Sequence, residues 1–478
     1  MENKFNSKRK VFIRTFGCQM NERDSEIIYS LMIHKGYIPV KLYEDADVII
    51  FNTCAVRRHA EDRVWGKLNE LKGLKAKKAR LVSGFMPTDV ADRGVIIGLV
   101  GCMGKAYGKE VFKRLPHVDF VCGPSNIYDI PVLVEKASSG RRNVCSIARG
   151  SRSLDREKCS KGFARSLYLY REDNVSSFVN ISYGCNNFCS YCIVPYVRGR
   201  EVSRPREAII EEVKYLVDKG IKEVTFLGQN VNSYKFPDRG SAAGKNDFVR
   251  LLEAVNNVSG LERIRFMTSH PKDANTGLFK AIAGLDKVCE HLHLPLQSGS
   301  DRILRLMNRG YTSGRYLKLI DDMRMIAPGC AITTDIIVGF PSESEEDFEH
   351  TRDIIDRIGF DSAFIFKYSP RPFTKSLEMD DDVPMQVKRR RNQDLLDLQA
   401  KKARENNARF IGNIENALGI SPAKRPPDSS GDVSDCYIKA RTRKNHQIVC
   451  KADRSLIGRV FDVKITGVQG NTLIGDMV

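Results

Sequence analysis

Cys185, Cys189 and Cys192 lie in one short run, Ile181-Ser-Tyr-Gly-Cys-Asn-Asn-Phe-Cys-Ser-Tyr-Cys-Ile193. The spacing C-x-x-x-C-x-x-C places three thiols on one tight loop. A thiolate is a soft ligand, suited to zinc or to an iron–sulfur cluster. Three thiolates hold three irons of a 4Fe–4S cube and leave the fourth without a protein ligand, whereas closed ferredoxin-type clusters take four cysteines. An open iron is a place for a substrate or cofactor. Zinc is the rival occupant, although zinc ribbons use paired C-x-x-C motifs. The plain alternative is three buried thiols.

A second set is scattered along the chain. Val11–Phe16, Asp47–Phe51 and Val95–Val100 read as strands, and Cys18, Cys54 and Cys102 each follow one of them. Helical spacing over Asn21–Lys35 and a charged helix over Arg57–Lys78 separate the strands, which argues for a parallel α/β sheet. Sites in such sheets form beyond the carboxyl ends of the strands. Three distant thiols then meet on one rim, gathered by the fold. Free cysteines are also among the most buried residues, so three unrelated core thiols are the competing reading.

Elements that position the first loop follow. Val179–Ser182, Glu223–Leu227, Arg263–Met267, His291–Pro295, Ala331–Gly339 and Ala363–Tyr368 read as strands, with helices such as Arg206–Lys219 and Ser313–Ile326 between them. This βα repeat predicts a partial (β/α)6 barrel, whose chemistry sits at the carboxyl ends of its strands. The cysteine loop follows the first strand. His291 and His293 alternate and face one side, as metal or acid–base groups or as ordinary hydrogen-bonded histidines. Gln386–Arg409 reads as one long basic helix, and short runs separated by turns beyond it predict a small β-barrel. The fold class is α/β. Residues 10–140 form a parallel α/β domain, 141–175 a basic linker holding Cys145 and Cys159, 176–406 the partial barrel, and 407–478 the small β-barrel.

The chain has 478 residues, of which 77 are basic and 59 acidic, a formal charge of +18. Such a balance points to a polyanionic partner, nucleic acid before membrane. Thirteen cysteines, an odd number in a long chain, are not a secreted disulfide framework. The start is polar and basic without an apolar core, and the longest apolar stretch, around Val95–Met103, is too short to span a bilayer. These features predict a soluble, cytoplasmic protein with no membrane partner.

Several motifs then line up in order over nearly the whole chain. Phe16-Gly-Cys-Gln-Met-Asn21, Asn52-Thr-Cys-Ala-Val-Arg57 and Gly101-Cys-Met103 resemble the amino-terminal domain of methylthiotransferases. Tyr183-Gly-Cys-Asn-Asn-Phe-Cys-Ser-Tyr-Cys192, with Tyr191 before the last cysteine, and Val197-Arg-Gly-Arg200 resemble a radical S-adenosylmethionine (radical SAM) loop. Leu227-Gly-Gln-Asn-Val-Asn-Ser-Tyr234, His291 to Ser300, Met307-Asn-Arg-Gly-Tyr311 and Tyr368-Ser-Pro-Arg-Pro372 fit the same family. The last segment resembles a TRAM domain, a small RNA-binding β-barrel.

The radical SAM methylthiotransferase resemblance, strongest toward the tRNA-modifying branch, implies two 4Fe–4S clusters and S-adenosyl-L-methionine. Cys185, Cys189 and Cys192 would hold the cluster that chelates S-adenosylmethionine and cleaves it to a 5′-deoxyadenosyl radical. Cys18, Cys54 and Cys102 would hold an auxiliary cluster presenting sulfur for insertion at carbon 2 of N6-isopentenyladenosine beside the tRNA anticodon. Tyr191 would meet the cofactor, Gly228, Gln229 and Asn230 its methionine part, Gln297 and Ser298 its ribose, and Asp335, Gly339 and Glu343 its adenine. Arg441, Arg443 and Lys444 would neutralise RNA phosphates. The implied partners are a tRNA anticodon stem-loop and an electron donor such as a flavodoxin or ferredoxin, with the enzyme a monomer. A ribosomal protein as the methylthio acceptor, and a non-catalytic iron–sulfur RNA-binding protein, stay open as alternatives. The chain departs from the family in places. Arg80 to Gly94 is lengthened, Gly104-Lys105 replaces a common Ala-Gln, Ser342 and Phe373 stand where glycine is usual, and Ser421 to Gly431 reads as a loop.

Overall fold

A computed structural model of the chain describes residues 9–55, 58–82, 94–147, 170, 175–235, 246–424 and 436–478. Most of the lengthened Arg80 to Gly94 run, Arg57 and Cys159 lie outside the described residues. Among the described residues no helix is long and apolar enough to cross a membrane.

The first sheet holds β1 (Lys10–Phe16), β2 (Ile38–Pro39), β3 (Val48–Thr53), β4 (Ile96–Gly101), β5 (Phe120–Cys122) and β6 (Val144–Ser146) in the order β2-β1-β3-β4-β5-β6. All neighbours are parallel. The central β3 and β4 are buried along their whole length, as their near-continuous apolar sequence requires of strands covered on both faces. Strands β5 and β6 span three residues each, too short to show a period in sequence. Strand β6 carries the sheet to Ser146, inside the stretch read from sequence as linker.

The central domain contributes β7 (Ser176–Asn180), β8 (Ser182–Tyr183), β9 (Val202–Ser203), β10 (Glu223–Leu227), β11 (Arg263–Phe266), β12 (His291–His293), β13 (Ala331–Val338) and β14 (Ser362–Lys367). Parallel runs β11-β10-β7 and β12-β13-β14 meet through a bridge between Ile264 and Val288, giving the open barrel that the βα repeat predicts. Val224, Phe226, Ile264 and Phe266 pack in one core with helix residues such as Val213, Leu252 and Phe279. Strand alternation therefore turns Glu223, Thr225, Arg263 and Arg265 to the inside. The interior of this barrel is polar, and its charges need internal partners.

A helix over Met385–Ala408 leads to a closed barrel of β15 (Ile414–Ala423), β16 (Tyr437–Thr442), β17 (Gln447–Lys451), β18 (Val460–Gln469) and β19 (Thr472–Met477), in the order β15-β16-β17-β19-β18. Ser421 and Pro422 belong to β15, paired with Lys439 and Ile438 beyond a bulge, where composition alone predicts a loop. Proline is tolerated in a strand next to such a bulge.

This barrel closes the amino-terminal end of the central one. Arg263 donates to the Arg441 carbonyl at 2.6 Å, and Arg265 donates to the Thr442 and Arg443 carbonyls at 2.6 and 2.8 Å. Glu223, fully buried, accepts from Arg265 at 2.6 Å and from Arg441 at 2.5 Å. Arg443 grips Glu290 with two nitrogens.

Candidate functional site

Pairing register explains how the scattered thiols converge. Phe16 lies opposite Thr53, and Thr53 opposite Gly101, in one row across β1, β3 and β4. Cys54 and Cys102 come one residue after that row and Cys18 two after it. Gly101 makes the exit possible. Its φ is +88°, and a Cβ there would lie 2.5 Å from the Thr53 carbonyl oxygen. Cys102 then opens a short helix, and Cys18 caps the helix Gln19–His34. Asn21 and Asn52 brace the strand ends, Asn21 Nδ2 donating to Asn52 Oδ1 at 3.0 Å and to the Thr53 carbonyl at 3.2 Å. The Cys18 thiol lies 3.3 Å from Asn21 Oδ1.

The electrostatics differ among these thiols. Hydrogen bonding from Cys54 pulls the Cys18 pKa down to about 6, against burial and with help from the Arg198 charge. A lowered thiol pKa favours the thiolate, the form that binds metal. Burial pushes Cys102 up, and Arg198 opposes the rise. Replacing Gly101 with alanine should displace Cys102 and lower iron bound at this set, while the loop at Cys185 keeps its own. Iron per chain and the cluster absorbance of G101A after anaerobic reconstitution check this.

Arg198 comes from the central domain, six residues after Cys192. It is buried and bonds Asp24 at 3.0 Å. Two further buried ion pairs hold the same seam, Arg23–Glu212 at 2.9 Å and Arg371–Glu61 at 2.7 Å. Ile193 and Val197 share an apolar cluster with Cys102 and Met103. The two thiol sets thus face one seam between the first two domains.

The local loop is framed by the β8–β9 pair. Gly184 takes φ +75°, where a Cβ would lie 2.2 Å from the Arg200 carbonyl oxygen. The Cys185 N–H donates to the Gly199 carbonyl at 3.1 Å. Segment Met307–Tyr311 supports the loop from below. Ser190 N–H donates to the Met307 carbonyl, and Asn308 Nδ2 donates to the Phe188 carbonyl. Arg309, buried, donates to Cys189 Sγ at 3.3 Å and lies 3.5 Å from the Tyr191 hydroxyl. Burial raises the pKa of Cys185 to about 11 and, with the Cys189 charge, that of Cys192 to about 12. Thiols so placed ionise when a cationic centre binds and releases their protons. Among the described residues no three Cys, His, Asp or Glu side chains gather closely enough for one metal ion. A cube takes its thiolates at separate corners, which suits a wider set.

The barrel mouth beside this loop carries orphaned polar atoms. Ser182 Oγ, Gln229 Oε1, Asn230 Oδ1, Ser269 Oγ and His270 Nε2 are buried without a hydrogen-bond partner. All follow the carboxyl ends of β7, β10 and β11. Native proteins rarely leave such groups unpaired, so the set fits a polar ligand such as the amino-acid part of S-adenosylmethionine. Gly228 lets the backbone pass, since a Cβ there would meet Ser182 Oγ at 2.4 Å. Asn230 is oriented by Asp273 at 2.7 Å. The Lys272 N–H donates to His270 Nδ1, which leaves the proton on Nε2. Burial, with the Arg309 charge, lowers the His270 pKa to about 2 and keeps the ring neutral.

Other expected residues are placed differently. Gln297, at φ +70°, bonds through its backbone to Asp335 and Ile337 of β13. The Ser298 hydroxyl bonds the Ser300 N–H and the Thr351 hydroxyl, so it braces a turn and is spent there. Asp335 lies 3.4 Å from His293 Nε2, and both His291 and His293 bond Thr333 Oγ1, as ordinary hydrogen-bonded histidines. Glu343 accepts from the Gly339 N–H at 2.6 Å and from Arg391 at 2.8 Å, which pins this turn to the long helix. Burial raises its pKa to about 7. Arg441, Arg443 and Lys444, expected as phosphate contacts, are paired with Glu223, Glu290 and Glu415. The Arg441 and Arg443 charges dock the small barrel on the central one, and Lys444 pairs within the small barrel. Asn21, Asn52, Arg198, Arg309 and His270 had no role in the sequence reading, though all but His270 lie in motifs it quotes.

Known proteins agree with this architecture. A profile of the Radical SAM superfamily matches residues 179–355, and one of the uncharacterized protein family UPF0004 matches residues 10–123. A tRNA-2-methylthio-N(6)-dimethylallyladenosine synthase of Moorella thermoacetica is 43% identical over 98% of this chain and 99% of its own. One of Thermoanaerobacter pseudethanolicus is 44% identical over 98% of this chain and 92% of its own. Among solved structures, the radical SAM methyltransferase TsrM of Kitasatospora setae shares the fold at TM-score 0.52 and 13% identity, over 77% of this chain and 74% of that one. The register-gathered thiols, the local cysteine loop and this full-length identity lead to one assignment: the chain belongs to the tRNA-2-methylthio-N(6)-dimethylallyladenosine synthase family of radical SAM enzymes.

Proposed function

We propose that this chain inserts sulfur at carbon 2 of N6-isopentenyladenosine beside a tRNA anticodon and methylates it. The observation that carries this reading is the meeting of two thiol sets at one domain seam, one local to the barrel mouth and one gathered by the sheet. Cys185, Cys189 and Cys192 hold the 4Fe–4S cluster, and Gln229, Asn230 and His270 offer their orphaned polar atoms to S-adenosylmethionine. Bound there, the cluster supplies the electron for reductive cleavage of that cofactor. Cys18, Cys54 and Cys102 hold a second, auxiliary 4Fe–4S cluster, with Asn21 and Asn52 fixing their strand ends. Arg198 places a buried cation beside that set and so offsets its thiolate charge. Arg309 does the same for Cys189. The buried pairs along the seam fix the distance between the sets, which orientation-dependent chemistry requires. A flavodoxin or ferredoxin delivers the electron, and the protein acts as a monomer.

The test is anaerobic reconstitution, followed by reduced flavodoxin, S-adenosylmethionine and an isopentenylated anticodon stem-loop. Both 5′-deoxyadenosine and methylthio nucleoside should form, with close to two 4Fe–4S clusters per chain. Tightly bound zinc in place of iron would sink the proposal. In a deletion strain, loss of the methylthio mark from a ribosomal protein alone would reassign the substrate.

A further inference from the structure

We propose that Phe188, Tyr196 and Phe373, with Arg200, form a stacking ledge for an unpaired RNA base that neighbours the base being modified. The proposal rests on the RNA reading above. Phe188 is the residue before Cys189, and Tyr196 lies four residues after Cys192, so both flank the thiol loop. Their ring centroids are 6.1 Å apart, edge to face. Phe373 extends the row, 6.3 Å from Tyr196 with its plane tilted by 35°. The Arg200 guanidinium lies 5.2 Å from the Phe188 centroid.

Two features mark Phe373 as more than packing. It is 56% exposed, among the most exposed large apolar residues described. It also holds φ +68°, a left-handed backbone where bulky residues are uncommon. Its neighbours fix that shape. The Thr374 hydroxyl donates to the Arg371 carbonyl at 2.7 Å, Arg371 pairs with the buried Glu61, and Ser376 N–H donates to the Ser190 carbonyl at 2.9 Å. The last bond ties this turn directly to the cysteine loop. A strained, solvent-facing aromatic at a catalytic mouth points to binding.

The ledge is small and continuous with the mouth, and it carries a cation. It offers ring faces for one planar group with a negative backbone, which describes a nucleotide in a single-stranded loop. The chain's +18 charge favours the same partner. The residues read from sequence as RNA contacts are ion-paired elsewhere, so recognition needs another surface.

Phe373→Gly is the informative variant, because glycine is relaxed at this φ and the turn survives. Tyr196→Leu is the second. Each is reconstituted with its clusters, and affinity is measured for an isopentenylated anticodon stem-loop and for a duplex RNA of equal length, over a range of salt. Both variants should bind the stem-loop about tenfold more weakly, as expected for one lost stacking contact. Duplex affinity and the salt slope should stay native, since phosphate contacts are untouched. Stem-loop affinity within about twofold of native in both variants would overturn the ledge. So would intact RNA binding with slowed reduction by a flavin-carrying donor protein, which would assign the ledge to that donor. Native protein that forms no methylthio nucleoside fails the RNA reading; variants that match a working native protein fail only the ledge.

Discussion

Cys189→Ala should abolish 5′-deoxyadenosine formation, whereas Cys54→Ala should keep cofactor cleavage and lose the methylthio nucleoside. The argument is spatial. Cys189 sits in the loop at the barrel mouth and accepts from Arg309 at 3.3 Å. Without its thiolate, the buried Arg309 loses its anionic partner as well as the cluster losing a ligand. Removing only an outer hydrogen bond to a metal ligand costs up to about a hundredfold, and removing the ligand itself should exceed that. Cys54 belongs to the other wall of the seam, buried just past β3 of the first domain, where its N–H donates to the Phe16 carbonyl at 2.8 Å. Its loss leaves the loop around Cys185 intact. Deoxyadenosine and modified nucleoside should be measured side by side in both variants. Normal methylthio product from Cys54→Ala would remove the auxiliary site from the mechanism, and native cleavage by Cys189→Ala would remove the primary one.

Glu223→Ala should cost about 3–5 kcal/mol of stability, the range for stripping one partner from a buried ion pair. Glu223 is fully buried and accepts from both Arg265 and Arg441. Burial pushes its carboxyl pKa up, and the Arg265 and Arg441 charges more than offset this, leaving it below the ordinary 4.5. A carboxylate lowered by folding contributes stability that is complete above its unfolded pKa and is lost as pH falls toward its folded one. The wild-type chain should therefore weaken as pH drops below about 4.5, and Glu223→Ala should lose this part of the acid dependence. Denaturant midpoints at neutral and acid pH decide the matter. A variant as stable as the native chain at neutral pH would show that the two guanidiniums find other partners.

Much of this was legible in the chain. The second thiol set was found because apolar runs end just before Cys18, Cys54 and Cys102, and a parallel sheet has only one carboxyl-end rim. Glycine's usual place at Ser342 and Phe373 was informative as well. Both positions hold left-handed backbone, with φ of +64° and +68°. What sequence could not supply was pairing between distant charges. Arg441 and Arg443 look like phosphate contacts because a basic run on a turn gives no sign of Glu223 or Glu290, which lie far away in sequence. The ion pair at Glu343 is illegible for the same reason, since its partner Arg391 comes from a later helix. Strands as short as β6 escaped because three residues carry no period.

The turn that closes the open barrel has a bearing on how these domains can be exchanged. Small β-barrels are often treated as detachable handles. Here the Arg441–Arg443 segment supplies three backbone carbonyls to Arg263 and Arg265 and a cation to Glu223. Any module grafted in its place would have to present the same carbonyl fan and the same positive charge at the same depth. The two barrels are therefore matched parts, like a bottle and its ground-glass stopper. Recombination between family members should preserve the pair together far more readily than it shuffles either one alone.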